Sequence, residues 1–482
     1  MSRMKIKNVF GCSARIAIVA ACLGSAARSG IVAAAEPLVA IQQSFIQRSA
    51  IGLSWSGLGS DFGYTIEVQD SVIGTMWRPA PASVWPIDVA AWVDPRLARS
   101  KTQFYRVVAS VAAAERGRLL GAESLGALSS AQLEAAFLQV GVRLPAASAV
   151  RLFKIRYETI NPFELRTTGS GLLVLPQNSS KALPLASYQH GTIMARNEVP
   201  SSMLGLERVI GLALGTSGYA ACLPDYLGLG ESPGLHPFVH ARSEATAAVD
   251  LLRAVRVFCA SSSVALNGQL FLVGYSEGGH ATMALHRELE AYHTNEFTIT
   301  ASAPMAGPYD LSGVMVADFL SGRSMPNPYY FLYLLAAYQS IYHFADSLSD
   351  ILQSPFDATL PPLLDGQHDG AEINQAIGTS VPANVLRPEF LQTFRDDSNH
   401  PLRLALREND LWDWTPQAPM RLYHCDGDQD VLYQNTQVAY KRFIQRGATQ
   451  VELVNPFPGA DHGQCAPIAL LAAKLWFDTL VR

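Results

Sequence analysis

Charged residues are scarce in this chain of 482 residues: they make up 16% of it, and basic residues form no run. The formal charge is −5, and it becomes −10 when residues 1–35, with five positive charges and no acid, are set aside. An acidic protein without a basic run is a poor partner for nucleic acid or an anionic membrane surface. We therefore expect no nucleic-acid partner.

Cysteine is also rare, with six residues and no C-x-x-C pair, so structural zinc is not expected. No apolar run reaches the roughly 20 residues that span a bilayer. An apolar content of 49%, with 36 glycines and 28 prolines, excludes a disordered, collagen-like or disulfide-dense chain. The length predicts more than one domain.

The N-terminus has the pattern of an export signal over residues 1–35. Basic residues precede the apolar run Ile16–Leu23, and the small residues Ala33–Ala35 supply a cleavage site before Glu36. The pattern predicts a secreted or periplasmic protein. An alternative stays open, because Val19–Cys22 resembles a bacterial lipobox and Cys22 would then anchor a lipoprotein.

Residues 38–112 differ in pattern from the rest of the chain. Short β-type runs at Ile51–Trp55, Tyr64–Val68 and Phe104–Val108 predict a small all-β sandwich. Its L-x-W, Y-x-I-E, W-x-P and F-Y-R-V segments resemble a fibronectin type III-like module, which would serve as a spacer or as a substrate-binding module. Residues 113–149 are rich in Ala and Leu and predict a helical linker.

Strand and helix patterns alternate from residue 150 to 482, which predicts a doubly wound, mostly parallel sheet. Phe153–Thr159 has the alternation of an edge strand. Residues 309–417 interrupt the order with a helix-rich, aromatic insertion. Its tyrosines either line a substrate pocket or pack the core of the insertion. They are Tyr329, Tyr330, Tyr333, Tyr338 and Tyr342.

A candidate nucleophile lies in Gly274–Gly278, which fits the pattern G-x-S-x-G. An apolar strand runs into this segment and a helix follows, which is the setting that the motif requires. Ser276 is therefore the predicted nucleophile. In such a fold an acid and then a histidine follow the serine along the chain.

The acid and the histidine follow the next two predicted strands. Asp428, three residues before Val431, is favoured over its neighbours Asp426 and Asp430, and His462 is the predicted base. The D-x-D-x-D string is not a calcium loop, because positions 6 and 12 are Val431 and Gln437 instead of Gly and Glu. We expect no metal and no cofactor.

Two backbone N–H groups should bind the oxyanion of the tetrahedral intermediate. One belongs to Glu277 and the other to Thr192 or Gly191, and His190 is expected to shape that loop. Four other histidines are expected at the surface. His236 and His240 are expected in loops, and His286 and His293 are expected on a solvated helix face with Glu290.

Four cysteines remain after the predicted cleavage: Cys222, Cys259, Cys425 and Cys465. An even number in an exported chain suggests disulfides. Cys425 lies three residues before Asp428, and Cys465 three residues after His462. Contact between the acid and the histidine would bring these cysteines together, so we predict a Cys425–Cys465 disulfide. A Cys222–Cys259 pair stays open, since a cysteine within a strand is often simply buried.

Residues 150–482 resemble the bacterial secretory lipase, or lipase-A-like, family of α/β-hydrolases. The segments that carry the resemblance are Tyr157–Thr159, Ser170–Pro176, Tyr188–Thr192, Pro224–Ser232, His240–Glu244, Gly274–Gly279, Asp428 and Asp461–Gly463. The resemblance implies an α/β-hydrolase fold, cleavage of carboxylic esters, and an insertion at 309–417 that acts as a cap or lid.

The chain is therefore expected to be an exported serine esterase or lipase that forms an acyl-enzyme on Ser276. The alternatives are a serine peptidase of the same fold acting on short peptides and a catalytically inactive binding protein. We expect a monomer with a small-molecule or lipid ester as substrate and a transient contact with a lipid or polymer surface.

Overall fold

The computed structural model describes residues 16–18, 38–39, 41–47, 50–58, 62–69, 78–80, 90–93, 103–111, 116–163 and 166–482. The chain divides into two compact units, Met1–Glu115 with Phe163–Leu165, and Arg116–Pro162 with Arg166–Arg482. Of the predicted export signal only Ile16–Ile18 is described. Cys22 and the cleavage site at Ala33–Ala35 lie outside the described residues.

The first unit consists of short strands in two sheets. Its strands are β1 (Ile16–Ile18), β2 (Leu38–Val39), β3 (Ile41–Gln47), β4 (Ala50–Trp55), β5 (Phe62–Gln69), β6 (Arg78–Pro79), β7 (Ala91–Val93) and β8 (Gln103–Val111). One sheet has the order β1-β8-β5-β6, with β2 also paired to β8, and the other has the order β3-β4-β7.

Aromatic residues from both of these sheets share one buried core. Trp55 packs edge-on against Tyr64, and Trp92 packs against Tyr105, with ring centroids 5.4 and 5.8 Å apart. Two sheets around one core form a small β sandwich, while the fibronectin type III-like assignment stays a prediction. Two further tryptophans of this segment, Trp77 and Trp85, lie outside the described residues.

The second unit is built on a nine-stranded sheet of order β17-β16-β15-β14-β12-β13-β11-β10-β9. Its strands are β9 (Leu119–Leu128), β10 (Val150–Ile160), β11 (Arg166–Pro176), β12 (Leu183–Gln189), β13 (Ala220–Pro224), β14 (Leu266–Tyr275), β15 (Ile299–Met305), β16 (Met420–Tyr423) and β17 (Val451–Val454). In this order the neighbouring strands β17, β16, β15, β14, β12 and β13 pair in parallel. The last three pairs, β13 with β11, β11 with β10 and β10 with β9, are antiparallel. β12 and β13 are buried along their whole length, as expected for central strands covered on both faces.

Helices cover both faces of this sheet. They are α1 (Ser130–Gln139), α2 (Arg208–Thr216), α3 (Ala241–Ser261), α4 (Glu277–Tyr292), α11 (Gln434–Gln445) and α12 (His462–Asp478). The core of one face contains α1, α2 and α12, and the core of the other contains α3 and α4. This is the doubly wound, mostly parallel architecture that the alternation of strands and helices predicts.

The helical linker predicted at 113–149 is wrong over much of its length. Residues Leu119–Leu128 form β9, and only Ser130–Gln139 is helical. β9 pairs with β10 in antiparallel register, so Phe153–Thr159 is not an edge strand either. Ala and Leu favour a helix, but backbone pairing to an open sheet edge outweighs this local preference. A single sequence does not reveal that edge.

The insertion between β15 and β16 has its own apolar core. Its helices are α5 (Val316–Leu320), α6 (Tyr329–Tyr342), α7 (Phe356–Thr359), α8 (Gly370–Ile377), α9 (Pro388–Asp396) and α10 (Pro401–Glu408). Tyr333 and Tyr338 are buried in that core, whereas Tyr330 lines a cavity next to Ser276. Both readings of the tyrosine cluster therefore apply. Among the described residues, no helix is both long and apolar enough to cross a bilayer.

A buried charge cluster joins the start of the second unit to its main helix. Asp250 of α3, fully buried, accepts hydrogen bonds from Arg116 (2.9 Å), Thr159 (2.8 Å) and Arg253 (2.9 Å). These donors offset the cost of removing the carboxylate from water. The cluster ties α3 to β10 and to the residue that opens this unit.

Asp250→Ala should lower the free energy of unfolding by about 3–5 kcal/mol, because it leaves Arg116 buried without this carboxylate. Asp413→Ala is the control, since its bridges to Arg442 and Arg446 are exposed, and it should cost less than about 1 kcal/mol. Urea unfolding followed by near-UV circular dichroism measures both. Equal, small losses in the two variants would contradict the role given to Asp250.

Candidate active site

Ser276 lies on a sharp turn between the end of β14 and the start of α4. Its backbone has φ 63° and ψ −124°, a region that residues other than glycine rarely adopt. Hydrogen bonds hold the turn, from the N–H of Ser276 to the Met305 carbonyl and from the N–H of Gly279 to the Ser276 carbonyl. The serine therefore stands at the carboxyl-terminal edge of the sheet, as a strand–elbow–helix requires.

Glycines allow α4 to approach the strands closely at this turn. A Cβ atom on Gly278 would lie 2.0 Å from the Gln189 carbonyl oxygen, and one on Gly279 would lie 2.0 Å from the Met305 carbonyl oxygen. Neither distance can be accommodated without moving backbone. The glycines after the serine are thus required by packing against β12 and β15.

The three residues predicted as a triad meet at this edge. The Ser276 hydroxyl lies 2.9 Å from Nε2 of His462, and Nδ1 of His462 lies 2.5 Å from Oδ2 of Asp428. Asp428 is fully buried, and the other two side chains are almost so. His462 is the first residue of α12, whose N-terminus is capped by Asp461. The hydroxyl of Tyr275 donates to the His462 carbonyl (2.7 Å) and holds that turn.

Of the three neighbouring acids, only Asp428 contacts the histidine. Asp426 accepts instead from the N–H of Gly459 (2.7 Å), and Asp430 accepts from the side chain of Asn327 (2.9 Å). The spacing to Val431 thus selected the residue that the structure brings to His462.

The predicted oxyanion donors lie beside the serine. Thr192, Ser276 and Glu277 line the same cavity, and a Cβ atom on Gly191 would lie 4.0 Å from the Ser276 Cβ. Within the described part of the chain, no acceptor takes the backbone N–H of Glu277 or Thr192. Both groups are therefore available to a substrate oxygen. Between the two candidates for the second donor, the cavity favours Thr192.

Comparison with known proteins identifies the family. The model of the secretory lipase family matches residues 195–304. A crystal structure of a candidate hydrolase from Legionella pneumophila is similar to this chain, with 30% sequence identity and a TM-score of 0.69. The match covers 76% of this chain and 98% of the Legionella chain. The rice cell wall degrading esterase LipA from Xanthomonas oryzae is similar as well, with 30% sequence identity and a TM-score of 0.65. That match covers 76% of this chain and 96% of the LipA chain.

The chain belongs to the secretory lipase family. It is a hydrolase of the esterase and lipase kind, with the α/β-hydrolase fold that the sequence predicts. Candida antarctica lipase A, at 16% identity and a TM-score of 0.57, shares the fold, covering 76% of this chain and 81% of its own. The comparison with curated protein sequences gives no match.

In this secretory lipase a second histidine, which the sequence pattern did not indicate, contacts Asp428. His424 Nε2 lies 3.0 Å from Oδ2 of Asp428 and 2.9 Å from the Val431 carbonyl, so it carries a proton. Its Nδ1 lies 2.6 Å from the Thr436 hydroxyl. The available signal was its position directly after β16, four residues before Asp428.

The environment of Asp428 keeps it ionised. Burial raises the pKa of this carboxyl, but hydrogen bonds from His424 and His462 outweigh burial and hold the pKa well below its usual range. The backbone N–H groups of Asp430 and Val431 also donate to its Oδ1, each at 2.9 Å. An ionised Asp428 keeps the proton of His462 on Nδ1, which leaves Nε2 free to accept one from Ser276.

Several histidines lie elsewhere than expected. His236, His240 and His286 are buried, not at the surface. His286 contacts Ser302 and Glu290, which excludes the solvated helix face. His190 is buried against the carbonyls of Gly191 and Asp225, in keeping with a loop-shaping role. Burial in a protein with helices on both faces of its sheet depends on neighbours distant in sequence, so the local pattern misplaces these side chains.

The structure joins Cys425 and Cys465 in the predicted disulfide. The bond links the loop that carries Asp428 to the helix that begins at His462. Cys222 and Cys259 are free and buried, so the alternative pair is not formed. Burial raises the pKa of the Cys222 thiol to about 12, which keeps it protonated and unreactive.

Replacing both Cys425 and Cys465 with Ser should lower the free energy of unfolding by up to about 4 kcal/mol, because the bond closes a loop with a sequence separation of 40 residues. Urea unfolding of the variant and the parent measures the loss. Non-reducing peptide mapping of the parent provides the check, and two free thiols in that map would rule the bond out.

Proposed function

We propose that this secretory lipase hydrolyses carboxylic esters through an acyl-enzyme on Ser276. The observation that carries the proposal is the continuous hydrogen-bond path from the Ser276 hydroxyl through His462 to Asp428, beside an apolar cavity. A serine hydroxyl has a pKa far above neutrality and needs such a base to attack a carbonyl carbon.

In acylation, the Ser276 oxygen bonds to the ester carbonyl carbon while Nε2 of His462 takes the hydroxyl proton. The carbonyl oxygen becomes negatively charged and is bound by the N–H groups of Glu277 and Thr192. Asp428 stabilises the resulting imidazolium through Nδ1. The tetrahedral intermediate then collapses, and the imidazolium gives its proton to the departing alcohol oxygen.

In deacylation, a water molecule takes the place of the alcohol. His462 removes one proton from the water as its oxygen attacks the acyl carbon, and the same two N–H groups bind the second oxyanion. Collapse of this intermediate breaks the bond to Ser276, whose oxygen recovers the proton from His462. The products are an alcohol and a carboxylic acid, and no cofactor takes part.

The cavity supports an apolar acyl group as the part of the substrate that enters the insertion. Its volume is about 100 Å³, and apolar side chains form most of its wall. They include Leu311, Met315, Val316, Phe319, Phe331 and Leu334, all from the insertion at 309–417. Burial of an aliphatic chain against them gains roughly 0.8 kcal/mol per methylene.

We also propose that the protein is exported. The basic, apolar and small-residue pattern of residues 1–35 supports this, as does the description of the family as secretory lipases. The Cys425–Cys465 disulfide also supports it, because such bonds persist in oxidising compartments. A lipoprotein anchored at Cys22 is the alternative form of export.

Ser276→Ala should abolish hydrolysis of p-nitrophenyl esters, and Asp428→Asn should lower kcat by about 10⁴-fold, because Asn favours the wrong tautomer of His462. Asp426→Asn, on the same loop but not in contact with a histidine, is the matched control and should keep kcat within a few-fold. Full activity in Ser276→Ala would overturn the mechanism, and a folded wild-type protein inactive on every ester would overturn the function.

Leu334→Trp should lower kcat/KM for octanoyl and longer esters by about 10-fold or more while acetyl esters change little, because the larger ring occupies the apolar cavity. A chain-length series from acetyl to palmitoyl p-nitrophenyl esters measures this. A uniform loss at all lengths would show that the acyl chain does not enter this cavity.

A further inference from the structure

The side chain of Glu277 forms a buried pair with His236. Its Oε1 lies 2.6 Å from His236 Nε2, and both side chains are almost completely shielded from solvent. Glu277 directly follows Ser276 at the start of α4, whereas His236 lies in the segment between β13 and α3. The pair therefore attaches the residue after the nucleophile to a different loop.

The geometry of His236 fixes how many protons the pair holds. Nδ1 lies 2.8 Å from the Leu227 carbonyl, which can only accept, so Nδ1 carries a proton. A second proton must then lie between Nε2 and the Glu277 carboxyl, because two lone pairs cannot face each other at 2.6 Å. The other oxygen of Glu277, Oε2, has no hydrogen-bond partner among the described residues.

Tyr226 continues this pair to the other side of the oxyanion site. Its ring stacks on His236 with centroids 5.7 Å apart and lies 4.1 Å from the ring of His190. Its hydroxyl donates to the His190 carbonyl at 3.1 Å, two residues before Thr192. One buried chain of contacts, from Glu277 through His236 and Tyr226 to His190, thus joins the two loops that carry the proposed oxyanion donors.

We propose that Glu277 and His236 are positioning residues that hold the two oxyanion N–H groups in register, and that loss of their shared proton sets the alkaline limit of activity. The inference rests on the proposed ester hydrolysis and adds its regulation by pH. When that proton leaves, the Glu277 carboxylate faces a lone pair of His236 in a buried site. The repulsion separates the two side chains and displaces the start of α4.

The direction of the pH effect follows from the surroundings of His236. Burial lowers the pKa of its imidazole, but the charge and hydrogen bond of Glu277 and the Leu227 carbonyl outweigh burial, so the net pKa is raised above 6.5. A group with a raised pKa keeps its proton to a higher pH than the free group and loses it as pH rises further.

Other ionisable groups also face the pair. Those of neighbouring segments are Arg196 after β12, Tyr226 after β13, Glu244 of α3, and Tyr329, Tyr330 and Tyr333 of α6. Burial raises the pKa of each of these phenols, so they stay neutral where His236 titrates. Glu244 has its own partner in His280, at 2.6 Å.

Glu277→Gln is the decisive variant, because a Gln amide can donate to neutral His236 without a titrating proton. We expect kcat for a p-nitrophenyl ester to fall about 10-fold with little change in KM, and the alkaline decline of kcat to disappear. The double change His236→Phe with Glu277→Leu replaces the pair by apolar groups, which preserves folding. It should lower kcat by about 10- to 100-fold and also remove the alkaline decline.

Glu244→Gln is the matched control, since it alters a different buried carboxylate–histidine pair, Glu244 with His280, and leaves the contact of Glu277 with His236 in place, so the alkaline decline should remain. Near-UV circular dichroism establishes that each variant is folded. A folded Glu277→Gln protein, or a folded double variant, with the wild-type alkaline decline would overturn the inference while leaving ester hydrolysis standing. A wild-type protein that hydrolyses no ester at any pH would overturn the proposed function, and the inference with it.

Discussion

The close approach of helix α4 to the ends of β12, β14 and β15 is the constraint on which the rest of the site depends. It forces Ser276 into a backbone conformation that costs of order 1–3 kcal/mol, and it leaves no room for a side chain at Gly278 or Gly279. This conformation places the serine hydroxyl at the carboxyl-terminal edge of the sheet, where it lines the cavity. Every other group of the site is brought to that point by the strand or loop that carries it.

Three buried carboxylates, Asp428, Asp250 and Glu277, each contact hydrogen-bond donors, and these contacts set the role of each carboxylate. Asp428 receives four hydrogen bonds, two from histidines and two from the backbone, which fix its charge and so the tautomer of His462. Asp250 receives bonds from two arginines and holds α3 to the sheet. Glu277 differs, because its partner His236 supplies a proton that pH can remove.

The insertion at 309–417 combines two roles that the sequence analysis treated as alternatives. Its aromatic and aliphatic residues are numerous enough to form a separate core and still cover a cavity next to Ser276. Tyr333 stacks on Phe238 inside that core, whereas Tyr330 and Phe331 face the cavity. The wall of the cavity next to Ser276 is therefore supported directly by the packing that stabilises the insertion.

The sequence by itself determined the parts of the protein that local patterns encode. The alternation of strands and helices predicted the sheet, the pattern around Ser276 predicted the elbow, and chain order with spacing predicted Asp428, His462 and the Cys425–Cys465 bond. These features follow from backbone geometry and short-range spacing, which a single chain displays. The prediction of a helical linker at 113–149 was wrong because the pairing of β9 with β10 is a long-range contact, which no local pattern reveals.

Only the tertiary structure decided which polar side chains outside the predicted Ser276, His462 and Asp428 set meet inside the protein. His424 beside Asp428, His236 beside Glu277, and the burial of His240 and His286 join residues from different loops and helices. Such contacts arise when the layers close over the sheet and each buried polar group must find a partner. Their positions are set by the packing of whole elements, so the sequence names the residues but not the partners.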